Sequence, residues 1–253
     1  MFLSEPAPTA WDLRFRVGTI PVRVHPMFWL VSLLMSGGAG NGVVILVWIG
    51  VCFVSILVHE LGHSLAMARF GQSSHIVLYG MGGLAVPDGG GWARARMYGG
   101  PRRFSPWVEQ VIISAAGPGA GFLLATATLV FIAVTGGKVM FRIPSLDNIS
   151  FVRVAVANDL ARIIVADLLY INIFWGLVNL LPVYPLDGGQ IARAILTARD
   201  PWQGNVDTLK LGVFVGGAVA IGAFFLLRQH FLAIMFGWLA ASNYMALQNG
   251  GYR

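Results

Sequence analysis

Long apolar runs separated by short polar or glycine-rich connections set the pattern of this chain. A bilayer core accepts roughly 20 mostly apolar helical residues per crossing. The pattern predicts about six such helices: Pro26 to Ser36, Val43 to Phe70, Trp107 to Thr135, Ile163 to Leu181, Leu211 to Leu227 and Phe231 to Leu247. The first is short unless it starts near Ile20. Ser74 to Pro87 obeys a different rule: it reads SHIVLYGMGGLAVP, rich in β-branched and aromatic residues and broken by Gly80, Gly82 and Gly83. That predicts strands around a glycine turn. Pro87 to Pro106 is expected to be a cytoplasmic loop, and Lys138 to Asn158 an external connection with a short surface helix. The expected fold is mainly α, a polytopic membrane protein of about six transmembrane helices with a small membrane-associated β segment. It forms a single domain over residues 1–253, with its core at about 20–196 and additional helices at about 207–248.

Composition supports a bilayer rather than water as the solvent. Charged residues make up 11% of the chain and hydrophobic residues 57%, against about 25% charged in an average globular protein. So little charge does not cover a soluble surface, and so much apolar content excludes disorder. The net charge of +6 calls for no nucleic acid, because Lys and Arg collect on the cytoplasmic loops of membrane proteins. With the amino terminus inside, twelve of the 17 Lys and Arg fall inside and five outside (Lys138, Arg142, Arg153, Arg162 and Arg228). Both termini are therefore expected in the cytoplasm of a prokaryotic cell membrane. The polar stretch Ser4 to Arg16 does not read as a cleavable signal. The single cysteine, Cys52, excludes an intramolecular disulfide framework and a multi-cysteine zinc ribbon.

The second run contains VHELGHSLA, with His59, Glu60 and His63. Two histidines four apart share a helix face and can reach one metal, while Glu60 projects about 100° round from His59. This is the HExxH arrangement, in which two histidines bind zinc and the glutamate is general base. A chance cluster of polar residues is disfavoured, because ionisable side chains at membrane depth are costly. An open zinc site needs a third protein ligand. His25, His75, Asp88, Glu109, Asp159, Asp167 and Asp187 are candidates. Asp187 stands out in NLLPVYPLDGGQ, where Pro182 and Pro185 break the fourth helix and Gly188 and Gly189 follow the acid. Depth agrees: Asp167 falls near the external start of that helix, whereas His59 and His63 lie in the inward half of theirs.

With HELGH at 59–63 and NLLPVYPLDGG at 179–189, the sequence resembles the site-2 protease family of intramembrane zinc metalloproteases. IPVRVHPMFWLV, YGMGGLAV and AAGPGAG extend the resemblance over most of Ile20 to Leu196. It implies that His59, His63 and Asp187 ligate Zn2+, that Glu60 is the catalytic base, and that the substrate is a membrane protein cut within or beside its transmembrane segment. The chain departs from the family at Gly121, where an asparagine is common. Asn179 is a candidate hydrogen-bond donor to substrate or oxyanion. Ile76, Val77, Leu78 and Tyr79 form a candidate strand for pairing with an unwound substrate; an edge closed by its own hairpin is the structural alternative. Asn172 reads as an interhelical hydrogen bond, Cys52 as packing, and His25 and His75 as interfacial. A non-catalytic zinc-binding membrane protein, a carrier or assembly factor, is the competing class. Such a protein needs the ligands but has no use for Glu60.

Overall fold

The computed structural model describes residues 5–37, 41–80, 82–88, 104–141, 152–155 and 158–250. The arginines expected to mark the cytoplasmic loop, Arg94 to Arg103, lie outside these residues, as does the centre of the external connection. Five helices are long and apolar enough to cross a membrane: α2 (Gly42–Arg69), α3 (Pro106–Val134), α4 (Asp159–Asn179), α6 (Pro201–Phe225) and α7 (His230–Gln248). Between α4 and α6 lies the shorter α5 (Asp187–Arg199). Large side chains such as Leu123, Val134, Phe214, Phe225 and Ile234 stand exposed on the spans, as lipid-facing positions do.

The first expected crossing is not a full one. α1 covers only Pro26–Met35, 10 residues, or about 15 Å against a bilayer core of about 30 Å. It cannot start earlier. Ile20–Val24 is a strand, and His25 caps the helix by accepting the Met27 amide at its Nδ1. β1 (Leu13–Val17), β2 (Ile20–Val24), β3 (Ser74–Tyr79) and β4 (Gly82–Pro87) form one sheet in chain order. The β1–β2 and β3–β4 pairs are antiparallel, and β2 runs parallel to β3. Alternation along β2 sends Ile20, Val22 and Val24 inward, where they pack with Ile76, Leu78 and Phe28 against Phe53, Ile56, Leu57 and Leu61 of α2. The sheet therefore lies on the helix that carries HELGH. Arg23 ties the amino-terminal segment to it through Glu5 (2.7 Å) and Asp12 (3.0 Å). Hydrogen bonds from Thr9, and then Arg23, hold the Asp12 carboxyl below the usual carboxylate range.

The external connection adds strands that the sequence pattern did not predict. Its described residues form an antiparallel pair, β5 (Lys138–Phe141) with β6 (Val152–Ala155); the expected surface helix falls on residues outside those described. The apolar, β-branched residues of both segments favour paired strands. α4 contains a π-helical turn at Tyr170–Trp175 and ends at Asn179. An irregular segment follows before α5 begins at Asp187. α6 and α7 pack a core of Ala223, Leu232, Ala233, Phe236 and Leu239 onto Val178 and Val183, and so grip that segment.

Candidate metal centre

HELGH sits within the single long helix α2, so His59 and His63 face the same way. Asp187, on the first turn of α5, meets them from the opposite side. The Nε2 atoms of the two histidines are 3.1 Å apart. Asp187 places Oδ2 3.1 Å from His59 Nε2 and Oδ1 3.3 Å from His63 Nε2. A tetrahedral site with bonds of about 2.0–2.1 Å has ligand-to-ligand edges of about 3.3–3.4 Å, so the two imidazole nitrogens and the carboxylate, with one oxygen toward each ring, already stand close to metal-site spacing. Three lone-pair donors aimed at one point are repulsive without a cation between them. The donor set, two imidazoles and a carboxylate, suits a divalent metal with one open position. Among the described residues this is the one such group.

The surroundings fix the ligands. Ile113 accepts a hydrogen bond from His63 Nδ1 at 2.7 Å. The proton is thus held on Nδ1 and the lone pair of Nε2 is turned to the centre. Glycines allow α3 to come this close. A Cβ on Gly62 would collide with the Ala116 carbonyl, and one on Gly117 would run into both imidazoles. Behind Asp187, a Cβ on Gly188 would strike the Leu180 carbonyl and one on Gly189 the Tyr184 backbone. The two glycines let the first turn of α5 fold back onto the broken segment.

Glu60 is buried and projects to the sheet side of α2. A Cβ at Gly83 would come 2.5 Å from its Oε1, and the carboxylate lies within reach of the Ala85 backbone amide. Tyr79 stands nearby. Burial, with the Glu60 carboxylate adding to it, pushes its hydroxyl pKa up. A carboxylate beside an open coordination position can accept a proton from water there.

The other sequence candidates separate clearly. The expectation that Ile76, Val77, Leu78 and Tyr79 offer a strand edge is corrected. β3 is paired on both sides, by β2 and β4, and Ile76, Val77 and Leu78 are fully buried. β4 has the edge that faces Glu60. Asn179 is half-buried at the end of α4, with no hydrogen-bond partner among the described residues. Asn172 donates to Ser55 Oγ at 2.8 Å, joining α4 to α2, and occupies the space beside Gly121, whose Cβ would lie 3.3 Å from Asn172 Oδ1. Asp167 does not join the histidines. His75 bonds Asp88 and Glu5 on the sheet. Sequence reasoning missed Gly83 as the neighbour of Glu60, and it missed Asn243, which donates to the Tyr184 carbonyl at 2.6 Å. An asparagine inside an apolar final helix was the available signal for the latter.

Comparison with known proteins agrees with this geometry. The chain is 26% identical over 215 residues to zinc metalloprotease MJ0392 of Methanocaldococcus jannaschii, covering 82% of this chain and 51% of the relative. It spans about half the length of the curated relatives it matches. Its fold is similar to the solved structure of the site-2 protease from Methanocaldococcus jannaschii, with a TM-score of 0.54 at 23% identity, covering 93% of this chain and 94% of that one. The model of peptidase family M50 matches residues 47–223. With HELGH, the broken segment and Asp187 all inside the matched region, the chain belongs to peptidase family M50.

Proposed function

We propose that this chain is a zinc endopeptidase that hydrolyses a peptide bond within or next to a transmembrane segment of a membrane-protein substrate. His59, His63 and Asp187 would hold the zinc, and Glu60 would be the general base. One observation carries the reading: two imidazole nitrogens 3.1 Å apart, each within 3.1–3.3 Å of an oxygen of the Asp187 carboxylate, with the buried Glu60 carboxylate on the same turn of α2 as the histidines. A bound zinc ion supplies Lewis acidity, which polarises a scissile carbonyl and acidifies water. Glu60 accepts the proton of the attacking water and delivers it to the departing amine nitrogen. His63, with Nδ1–H given to Ile113, keeps its tautomer throughout. Asp187 supplies the negative charge that offsets the cation. Glu60 also separates this reading from a zinc carrier, which has no need of a buried base beside its ligands.

A substrate must be extended at the cut, because a helix hides its carbonyls. The edge of β4 lies beside Glu60, and a peptide added there by β-augmentation would run past the base. His59 is ten residues from the end of α2 at Arg69, about 15 Å at 1.5 Å per residue. With the Arg69 end of α2 facing the cytoplasm, as the Lys and Arg asymmetry favours, the cut falls below the inner membrane surface.

The test uses purified protein reconstituted with a single-span substrate whose helix carries a Gly–Pro break, followed by mass mapping of the products. Cleavage inside or beside the span, abolished by chelator and restored by zinc, is the expected result. Cleavage that survives chelation, or cuts only in distant soluble segments, overturns the proposal.

A further inference from the structure

We infer that Asn243, on the last helix, is a positioning residue for the metal site. It fixes the Tyr184 peptide and thereby the approach of Asp187 to the two histidines. The inference rests on the metal-site reading above. Asn243 is 2% exposed in the middle of an apolar helix. Its Nδ2 donates to the Tyr184 carbonyl at 2.6 Å and to the Leu239 carbonyl of its own helix at 2.8 Å. Its Oδ1 is buried with no hydrogen-bond partner among the described residues. An amide that served only to glue two helices would sit where both ends are used. This one leaves its oxygen unsatisfied and commits its donor end to the irregular segment.

Room for it is provided. A Cβ on Gly212 of α6 would lie 2.7 Å from Asn243 Oδ1 and 2.9 Å from Cγ, so the glycine faces the amide across the α6–α7 contact. The segment it grips has little regular support of its own. Pro182 and Pro185 have no amide proton. Its local bonds are Val183 N–H to Leu181 (2.7 Å) and Leu186 N–H to Val183 (2.8 Å). The next carbonyl, that of Pro185, accepts from the Gln190 side chain at 3.4 Å. Two successive carbonyls before Asp187 are therefore set by side-chain amides, one from α5 itself and one from α7.

The link to the ligand is short and stiff. Tyr184 is three residues before Asp187. Its backbone packs against Gly189 with no room for even a methyl group, since a Cβ there would come 2.6 Å from Tyr184 Cα. A turned Tyr184 peptide would therefore push on the first turn of α5, where Asp187 meets the histidines. The carboxy-terminal helix pair thus completes the centre, although it contributes no ligand.

The experiment uses the full-length purified protein in detergent, with Asn243→Leu and Asn243→Asp. Leu removes the donor without adding charge, and Asp keeps the shape. Thr208→Val removes another buried polar side chain of the same helix pair, one that bonds only the Gly204 carbonyl. Zinc affinity is measured by competition with a chromophoric chelator, and amide hydrogen exchange is followed on the zinc-free protein. Both Asn243 variants are expected to bind zinc about 10- to 100-fold more weakly, the usual cost of losing an outer support of a metal site. Leu186 and Gln190 amides should exchange faster in them, and Thr208→Val should match wild type in both measurements. Wild-type zinc affinity together with unchanged Leu186 exchange in both Asn243 variants overturns the inference. So does a fall in thermal stability of the zinc-free variants with zinc affinity unaltered, which is the mark of a purely structural amide. Wild-type protein that takes up no zinc overturns the parent reading instead, and the exchange measurement still decides whether Asn243 fixes the segment.

Discussion

Gly117→Ala is the sharpest perturbation of the centre, because one methyl group is aimed at both imidazoles. Its Cβ would lie 2.5 Å from His63 Cε1 and 2.8 Å from His59 Nε2, where ordinary contact begins at 3.4 Å. The His63 ring, whose Nε2 would be nearer still, must retreat by more than 0.9 Å and the His59 ring by about 0.6 Å. α3 could yield only by drawing away from α2, and that would pull the Ile113 carbonyl off His63 Nδ1, which it holds at 2.7 Å. Metal bonds tolerate about 0.2 Å, so a shift of this size takes at least one histidine out of bonding range. Displacing a ligand should weaken binding more than losing an outer-shell partner, which costs 10- to 100-fold. A loss of about 100-fold or more in zinc affinity is expected, with cleavage falling in step. Gly119→Ala is the matched control: it lies on the same helix with nothing within 4 Å of its Cβ, and zinc affinity should not change. Chelator competition measures both, with circular dichroism to verify the helices. Gly117→Ala protein that binds zinc as tightly as wild type would refute the reasoning.

Two further outcomes follow from the same geometry. Asp187→Asn should lose zinc on metal analysis, whereas Asp167→Asn, outside the cluster, should retain it; the reverse pattern contradicts the assignment. Gly83→Ala pushes a methyl group into the Glu60 carboxylate but touches no ligand, so turnover should fall by about 10-fold or more while zinc content stays at wild-type level.

The parts of the fold that depend on local pattern were legible in the sequence. Apolar runs gave α2, α3, α4, α6 and α7 to within a few residues, apart from α6, which starts ten residues earlier, at Pro201. The glycine-broken stretch gave β3 and β4. Parts that depend on distant partners were not legible. Ile20–Val24 is a strand because Val22, Arg23 and Val24 pair with Ile76, Val77 and Leu78 across more than 50 residues. The sequence alone let this stretch pass as the start of a helix. The same pairing closes one side of β3 and removes the edge expected there. The metal cluster was legible because His59 and His63 are four apart on one helix and Asp187 follows a proline break. Its supports were not. Gly117 looks like any packing glycine until α3 is placed against α2, and Asn243 is nearly 60 residues from the carbonyl it holds.

The most direct test of the central claim is Glu60→Gln, with zinc content and cleavage of the reconstituted single-span substrate measured on one preparation. The amide keeps the size and burial of the carboxylate but cannot accept the proton of the attacking water. One zinc per chain, held with wild-type affinity, and a loss of cleavage of about 10²- to 10⁴-fold are expected. Cleavage near the wild-type rate would contradict the account, because the buried carboxylate beside the ligands would then have no part in the chemistry.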